Sequence, residues 1–277
     1  MENNRINKNI KILYEDNHII VADKGVGILS QQDDSKDDDM LTLLKAYIKE
    51  KYKKPGDVFL GLVQRLDTVT SGVMVFARTS KAASRLSDSI RKNEVEKKYL
   101  AVIEDDIAKL IEKSFISAES SVKNADAEKF DLKNTSIENI SGKDDKMMYR
   151  LEDYLLKDAK KNLVSVTADK KNGKRSVLDY EIIKQDRSKK FTLVRIHLLT
   201  GRSHQIRVQF SSRGCPVAGD MKYGSKTRLK RGIALHAYEL SFPHPTKKDI
   251  MTFKTVPERY PFNLFSDDIK DHIKSKK

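Results

Sequence analysis

Two short apolar runs, Ile10–Tyr14 and His18–Ala22, stand on either side of the polar Glu15-Asp16-Asn17. Runs of strand length around a turn tripeptide predict two strands and a tight connection. The polar residues 1–9 ahead of them are expected to be flexible. A loop at Lys24-Gly25-Val26-Gly27 and an acidic connector at Asp33–Asp39 come next. Met40, Leu41, Leu44, Tyr47 and Ile48 recur at helical spacing and predict a helix over Met40–Tyr52. Phe59–Val63 and Val73–Ala77 read as strands, with the polar Thr68–Gly72 leading into the second. Ser80–Lys92 repeats the helical pattern through Ala82, Ala83, Leu86 and Ile90, and Lys98–Ile103 returns to strand.

The pattern then breaks. From about 104 to 148 the chain is rich in Ser, Asn, Lys, Asp and Glu with weak periodicity. That composition predicts a polar insertion, partly disordered, with short helices at most. Tyr149–Lys157, Leu163–Ala168, Ser176–Lys184, Phe191–Leu198 and Arg202–Phe210 then alternate strand and helix patterns. Phe191–Leu198 is a strand and Ile206–Ser212 suits a helix; Ile233–Pro243 and Thr252–Lys254 are the last predicted strands. Residues 266–277 read as a charged, mobile tail. Strands and helices interleave without a regular βαβ repeat, so the expected fold is α+β, a mixed and largely antiparallel sheet with flanking helices. One domain is expected, over 10–265, with no internal repeats.

Charge adds a class of partner. The 277 residues hold 54 Lys and Arg against 40 Asp and Glu, a formal net charge of +14. Such a chain is drawn to polyanions, either a nucleic acid or an anionic membrane surface. The plainer account is coding bias together with lysine used for solubility. With 38% apolar residues there is enough for a core. One cysteine, Cys215, excludes an internal disulfide and a cysteine zinc site, which suits a reducing compartment. The N-terminus lacks a signal-peptide core, and no run approaches the roughly 20 apolar residues of a membrane span. A soluble, cytoplasmic protein is therefore expected. The six histidines form no H-x-x-x-H pair, and no phosphate-binding glycine loop is present. Neither metal nor cofactor is expected, and an enzyme here would run on side chains alone.

Two segments could carry chemistry. Gln64-Arg65-Leu66-Asp67-Thr68-Val69-Thr70-Ser71-Gly72 sets a carboxylate in a loop between two apolar runs. Rigid strands hold such a loop from both sides, which favours function, but an isolated Asp equally caps its own turn. Leu199-Thr200-Gly201-Arg202-Ser203-His204-Gln205-Ile206-Arg207 places two arginines around a His and a Gln, with Gly201 available for an unusual backbone angle. The cluster fits a carboxylate or phosphate partner, and it fits a solvated basic helix start as well.

Taken in order, the motifs are more specific than any one of them. Asp23-Lys24-Gly25-Val26-Gly27 is followed by Arg65-Leu66-Asp67-x-x-x-Ser71-Gly72 and Lys98-Tyr99-Leu100-Ala101-Val102. Thr200-Gly201-Arg202-x-His204-Gln205-Ile206-Arg207 and Pro216-x-x-Gly219-Asp220-x-x-Tyr223-Gly224 come next. Leu235-His236-Ala237-x-x-Leu240-x-Phe242-x-His244-Pro245 closes the series. The set resembles the RluA family of RNA pseudouridine synthases over about residues 10–255.

The resemblance implies an isomerase that turns a uridine of ribosomal or transfer RNA into pseudouridine, without a cofactor. It implies Asp67 as the nucleophile, Arg202 as the cation beside it and Tyr99 as the tyrosine that stacks on the target base. Arg65 would fill the space left by a flipped nucleotide, Leu235 would wall the base pocket, and Arg207 would serve flanking phosphates. A monomer is the family expectation. Two departures stand out: Gln64 replaces the usual His before Arg-Leu-Asp, and the 104–148 segment is long. No small RNA-binding module is expected ahead of Ile10. The rival readings are an RNA-binding or ribosome-assembly protein with the fold but not the catalysis, and a nucleosidase using the same carboxylate.

Overall fold

A computed structural model describes residues 10–33, 38–104, 136–141 and 147–274. The chain divides into two compact units, one of residues up to Tyr99 with Lys230–Pro257, the other of Leu100–Leu229 with Glu258 onward.

In the first unit β1 (Lys11–Glu15) pairs antiparallel with β2 (Ile19–Lys24), closing on the predicted turn. Asp16 makes that turn, accepting the N–H groups of His18 and Ile19 at 2.7 and 2.9 Å. β2 pairs antiparallel with β4 (Ser71–Ala77), and β4 runs parallel to β11 (Leu235–Pro243). β12 (Ile250–Lys254) pairs with the far part of β11. Of the expected strand Phe59–Val63, only β3 (Gly61–Leu62) pairs, against β4. Ile19, Val21, Val73, Val75, Leu240 and Phe242 form one apolar core with Leu86. β4 is buried at every position, as a central strand covered on both faces must be.

Both predicted helices of this unit form. α1 (Met40–Lys51) is capped by Asp39, which accepts the Thr42 N–H, and buries Met40, Leu44 and Ile48. α2 (Ser80–Arg91) is capped by Thr79 and buries Ala82 and Leu86. Gly72, the second residue of β4, has φ +127°, and a Cβ there would fall 2.2 Å from the Ala237 carbonyl oxygen. Only glycine lets the strand start so close to β11.

β5 (Glu96–Glu104) carries the chain from the first unit into the second. There β10 (Phe191–Leu198), β9 (Lys174–Asp186), β7 (Met147–Asp158) and β6 (Ser136–Ser141) follow one another in the sheet, and β8 (Leu163–Val166) pairs with β7. The pairings named here are antiparallel except β4 with β11, so the mixed, largely antiparallel α+β expectation holds. Tyr149 stacks on Tyr180, and Phe210 of α3 (Gln205–Ser211) meets Tyr180 edge-on, both at 5.2 Å.

Two expectations change. The polar segment read as an insertion over 104–148 contains β6, and its ends belong to β5 and β7. Glu104 is buried, its carboxylate held by Ser225 and by the N–H groups of Lys226 and Thr227. Residues 105–135 and 142–146, where short helices were expected, lie outside the described residues. The tail from 266 is α4 (Ser266–Lys274), with Ile269 and His272 buried. Its charges hide an i, i+3, i+4 set at Ile269, His272 and Ile273, enough to dock a short helix.

Candidate active site

The loop bearing Asp67 is fixed one residue at a time. Ser30 Oγ accepts the Leu66 N–H at 3.0 Å and donates to the Leu66 carbonyl at 2.7 Å. Leu66 is buried, while Arg65 before it is exposed and Asp67 after it is half-buried. The Thr70 N–H donates to the Asp67 carbonyl at 2.9 Å, closing a turn. The Gly27 N–H donates to the Thr68 carbonyl at 2.8 Å, and the Ile233 N–H to the Val69 carbonyl at 3.1 Å. Gly232 permits that last approach, since a Cβ there would meet Val69 O at 2.6 Å and Val26 Cγ1 at 2.3 Å. Ser71 Oγ is hydrogen-bonded to His236 Nδ1 at 2.8 Å, and His236 Nε2 to Thr255 Oγ1 at 2.9 Å. All three are buried.

Beneath the loop lies Lys24, fully buried. Its ammonium donates to the carbonyls of Ile28 at 2.6 Å, Gly25 at 3.1 Å and Thr68 at 3.4 Å. Burial lowers its pKa from 10.5 to about 8, against the opposing pull of the Asp67 and Asp23 carboxylates. Tyr99 also feels Asp67: burial, then the Asp67 charge, raise its phenol above the usual tyrosine range. Tyr99 is therefore a neutral phenol at neutral pH, a hydrogen donor and a flat surface rather than a base. Leu235 is buried at the start of β11, its N–H on the Ile233 carbonyl at 2.8 Å. Asp67, Tyr99, Arg65 and Leu235 thus belong to one unit.

Arg202 and Arg207 belong to the other. The Arg202 N–H donates to Gln205 Oε1 at 3.1 Å, and the same oxygen accepts the Thr200 hydroxyl at 2.8 Å. Gln205 passes the chain to Gln209 at 3.0 Å, and Gln209 to Asp153 at 2.7 Å, where Arg213 also binds. The Arg202 side chain is exposed, with Nε on the Arg175 carbonyl at 3.2 Å. The left-handed residue of this motif is His204, at φ 51°, rather than Gly201. Its Nδ1 meets the Tyr223 hydroxyl at 2.7 Å.

Arg207 needs a different assignment from the phosphate contact expected of it. It is 5% exposed, and Nε and Nη2 reach the two oxygens of buried Asp220 at 2.6 and 2.9 Å. Its guanidinium also lies 4.9 Å from the Tyr223 ring centroid. A fork gripping one carboxylate inside the protein supports the fold, not the RNA. Arg207→Lys keeps the charge but loses the bidentate fit and the stacking. Thermal unfolding should show a loss of about 1–3 kcal/mol, while RNA affinity and its salt dependence stay at the wild-type level. Weaker RNA binding with unchanged stability would restore the phosphate role.

Sequence reasoning missed Lys24, Ser30, His236 and Thr255 as parts of the site. Lys24 and His236 stood inside quoted motifs, but nothing in one sequence shows that a lysine is buried. Ser30 and Thr255 had no signal at all. Among the described residues there is no cluster of three His, Cys, Asp or Glu able to hold a metal ion. No helix among them is long and apolar enough to cross a membrane.

Residues 18–212 match the family of RNA pseudouridylate synthases, well over half of the chain. The chain belongs to that family. A relative from Buchnera aphidicola, named ribosomal large subunit pseudouridine synthase C, is 29% identical over 266 residues, covering 92% of this chain and 69% of the relative. A protein of Aquifex aeolicus, named an uncharacterized RNA pseudouridine synthase, is 28% identical over 273 residues, covering 95% and 74%. Among solved structures, human RNA pseudouridylate synthase domain containing 4 superposes with a TM-score of 0.62 over 94% of this chain and 92% of its own, at 18% identity. That last likeness concerns the fold. The pseudouridine synthase described here is of the RluA type, an isomerase, as the ordered motifs implied.

Proposed function

We propose that this synthase isomerises one or a few uridines in ribosomal or transfer RNA, with Asp67 as nucleophile. The observation that carries the reading is the Asp67 loop itself, fixed by named bonds from Leu66 to Ser71. An enzyme gains rate by holding its reacting group in place before the substrate arrives. The reaction breaks the bond from ribose C1′ to uracil N1 and forms one from C1′ to C5. A proton leaves C5 and one is taken up at N1, so no electrons are exchanged and no activated donor is required. The carboxylate serves as nucleophile toward either the sugar C1′ or the base C6.

The target base leaves its stack to reach the loop. Exposed Arg65, two residues from Asp67, occupies the vacated space. The neutral phenol of Tyr99 stacks on the base and is able to donate a proton late in the reaction. Leu235 supplies apolar wall. Arg202 acts by family pattern as the cation of the reacting carboxylate, on a backbone anchored through Gln205. The enzyme works in the cytoplasm as a monomer.

The test compares pseudouridine across total RNA from cells with and without the gene, by chemical labelling and site mapping. One or a few sites should vanish when the gene is deleted and return with a plasmid copy. An unchanged map would leave the catalytically silent RNA-binding protein as the better account.

A further inference from the structure

One group of lysines that the active site does not use gathers on an edge of the second unit. From Lys157 to Arg175 the chain carries seven cations against two aspartates. Strand register shows where they stand. β7 and β8 meet with Lys157 opposite Val164 and Asp158 opposite Leu163, so Lys160 and Lys161 form the hairpin tip. The loop after β8 then crosses Tyr154 on β7. The Thr167 N–H donates to the Tyr154 carbonyl at 2.9 Å, and Lys170 Nζ lies 5.6 Å from the Tyr154 ring centroid. β9 begins beside them, with Lys174 opposite Leu155. Lys157, Lys160, Lys161, Lys170, Lys171 and Lys174 are all exposed.

The two exposed aspartates offset two of these charges and Glu152 pairs with Arg175 at 2.7 Å, which leaves an excess of four positive charges on the edge. Asp158 accepts the Lys161 N–H at 3.1 Å. Asp169 accepts the N–H groups of Lys171 and Asn172 at 2.9 and 3.2 Å, and the Asn172 amide at 2.6 Å. Some other cations of the protein meet carboxylates: Lys51 and Arg78 on Glu15, Lys98 and Lys254 on Glu239, Arg150 on Asp179. Among the described residues, no carboxylate lies within ion-pair distance of Lys157, Lys160, Lys161, Lys171 or Lys174. Lysine placed only for solubility has no reason to collect in such excess on one hairpin and the loop that follows it.

The edge also starts at a motif residue. Arg202 Nε binds the carbonyl of Arg175, and Lys222 Nζ binds that of Asn162 at the hairpin tip, at 2.6 Å. Between Leu155, opposite Lys174, and Asp158 before the tip, β7 covers about 10 Å, at roughly 3.3 Å per residue. We propose that this edge carries the sugar-phosphate backbone of a structured RNA beyond the target nucleotide. The enzyme would then select large RNA by charge and reach, and leave the base chemistry to the Asp67 loop. The proposal rests on the reading of the chain as a synthase that acts on RNA.

The decisive variant is Lys160→Gln/Lys161→Gln/Lys170→Gln/Lys171→Gln in the full chain. Its control is Lys45→Gln/Lys49→Gln/Lys53→Gln/Lys54→Gln, four exposed lysines on or just after α1 with the same loss of charge. Two probes are used: an in vitro transcript of large-subunit ribosomal RNA, and a short stem–loop with a looped uridine. Matched melting curves establish folding. For the transcript, the first variant should weaken Kd at least about tenfold at physiological salt and lower the salt slope by about 3, near 0.7–0.9 per lost phosphate contact. The control should change neither, and stem–loop behaviour should match wild type. A wild-type Kd and slope for the first variant would overturn the proposal, as would equal weakening by the control. Should wild type bind both RNAs but make no pseudouridine in either, the synthase reading fails, while the two Kd comparisons still decide the surface.

Discussion

Asp67→Asn should leave the enzyme folded and bound to RNA but unable to turn it over, with a loss of at least about 10⁴-fold in kcat. The amide has the size of the carboxylate, so the turn closed by the Thr70 N–H on the Asp67 carbonyl survives. The bonds at Leu66, Thr68, Val69 and Ser71 do not involve the Asp67 side chain. What disappears is the negative charge and, with it, the proposed nucleophile. Loss of a single negative charge should, if anything, tighten nonspecific RNA binding slightly. The measurement pairs pseudouridine formation on a mapped substrate with Kd for the same RNA. Turnover within about tenfold of wild type would remove Asp67 from the chemistry, because nucleophile deletions cost far more. Joint loss of turnover and binding would instead mean that the side chain organises the RNA site.

Much of this enzyme was legible in its sequence, and the illegible part has a common cause. Strong local periodicity revealed α1, α2 and most strands, since each element's own residues report which face is buried. The motif order revealed the family, and a motif glycine such as Gly72 is fixed by a contact too close for a side chain. Burial of a charged group was not legible. Arg207 looks in sequence like any cation near a phosphate site, yet Asp220, thirteen residues away, holds it inside the second unit. Lys24 looks like a loop lysine, yet its partners are carbonyls at Ile28 and Thr68. Such assignments depend on partners that topology supplies. α4 was misjudged for a related reason: Ile269, His272 and Ile273 are too few to outweigh the surrounding charges until the sheet provides a surface. The division of the chain into units at β5, Lys230 and Pro257 likewise has no composition shift to announce it.

Lys24→Met should separate the scaffold of the loop from its proposed nucleophile. Methionine fills a similar length of buried space but donates nothing to the carbonyls of Gly25, Ile28 and Thr68. The Thr68 carbonyl keeps the Gly27 N–H, so the loop should loosen rather than unfold. Displacement of a reacting group by about 1 Å costs on the order of 10²-fold in rate. We expect kcat to fall by about that factor with KM little changed. Stability supplies the readout that a merely inactive variant would not. In wild type the lysine titrates at about 8 when folded and near 10.5 when unfolded. Between those values the unfolded chain holds more protons, so this residue makes stability rise with pH, by about 3 kcal/mol in all. Below about pH 8 both states are protonated and the contribution is flat. The difference in unfolding free energy, wild type minus Lys24→Met, should therefore climb from pH 8 to 10.5. Taking the difference cancels the contribution of half-buried Lys97, whose pKa desolvation also lowers. A flat difference across that window would show that Lys24 is not held in the desolvated setting described. A climbing difference with unchanged kcat would show that the loop keeps Asp67 in place without it.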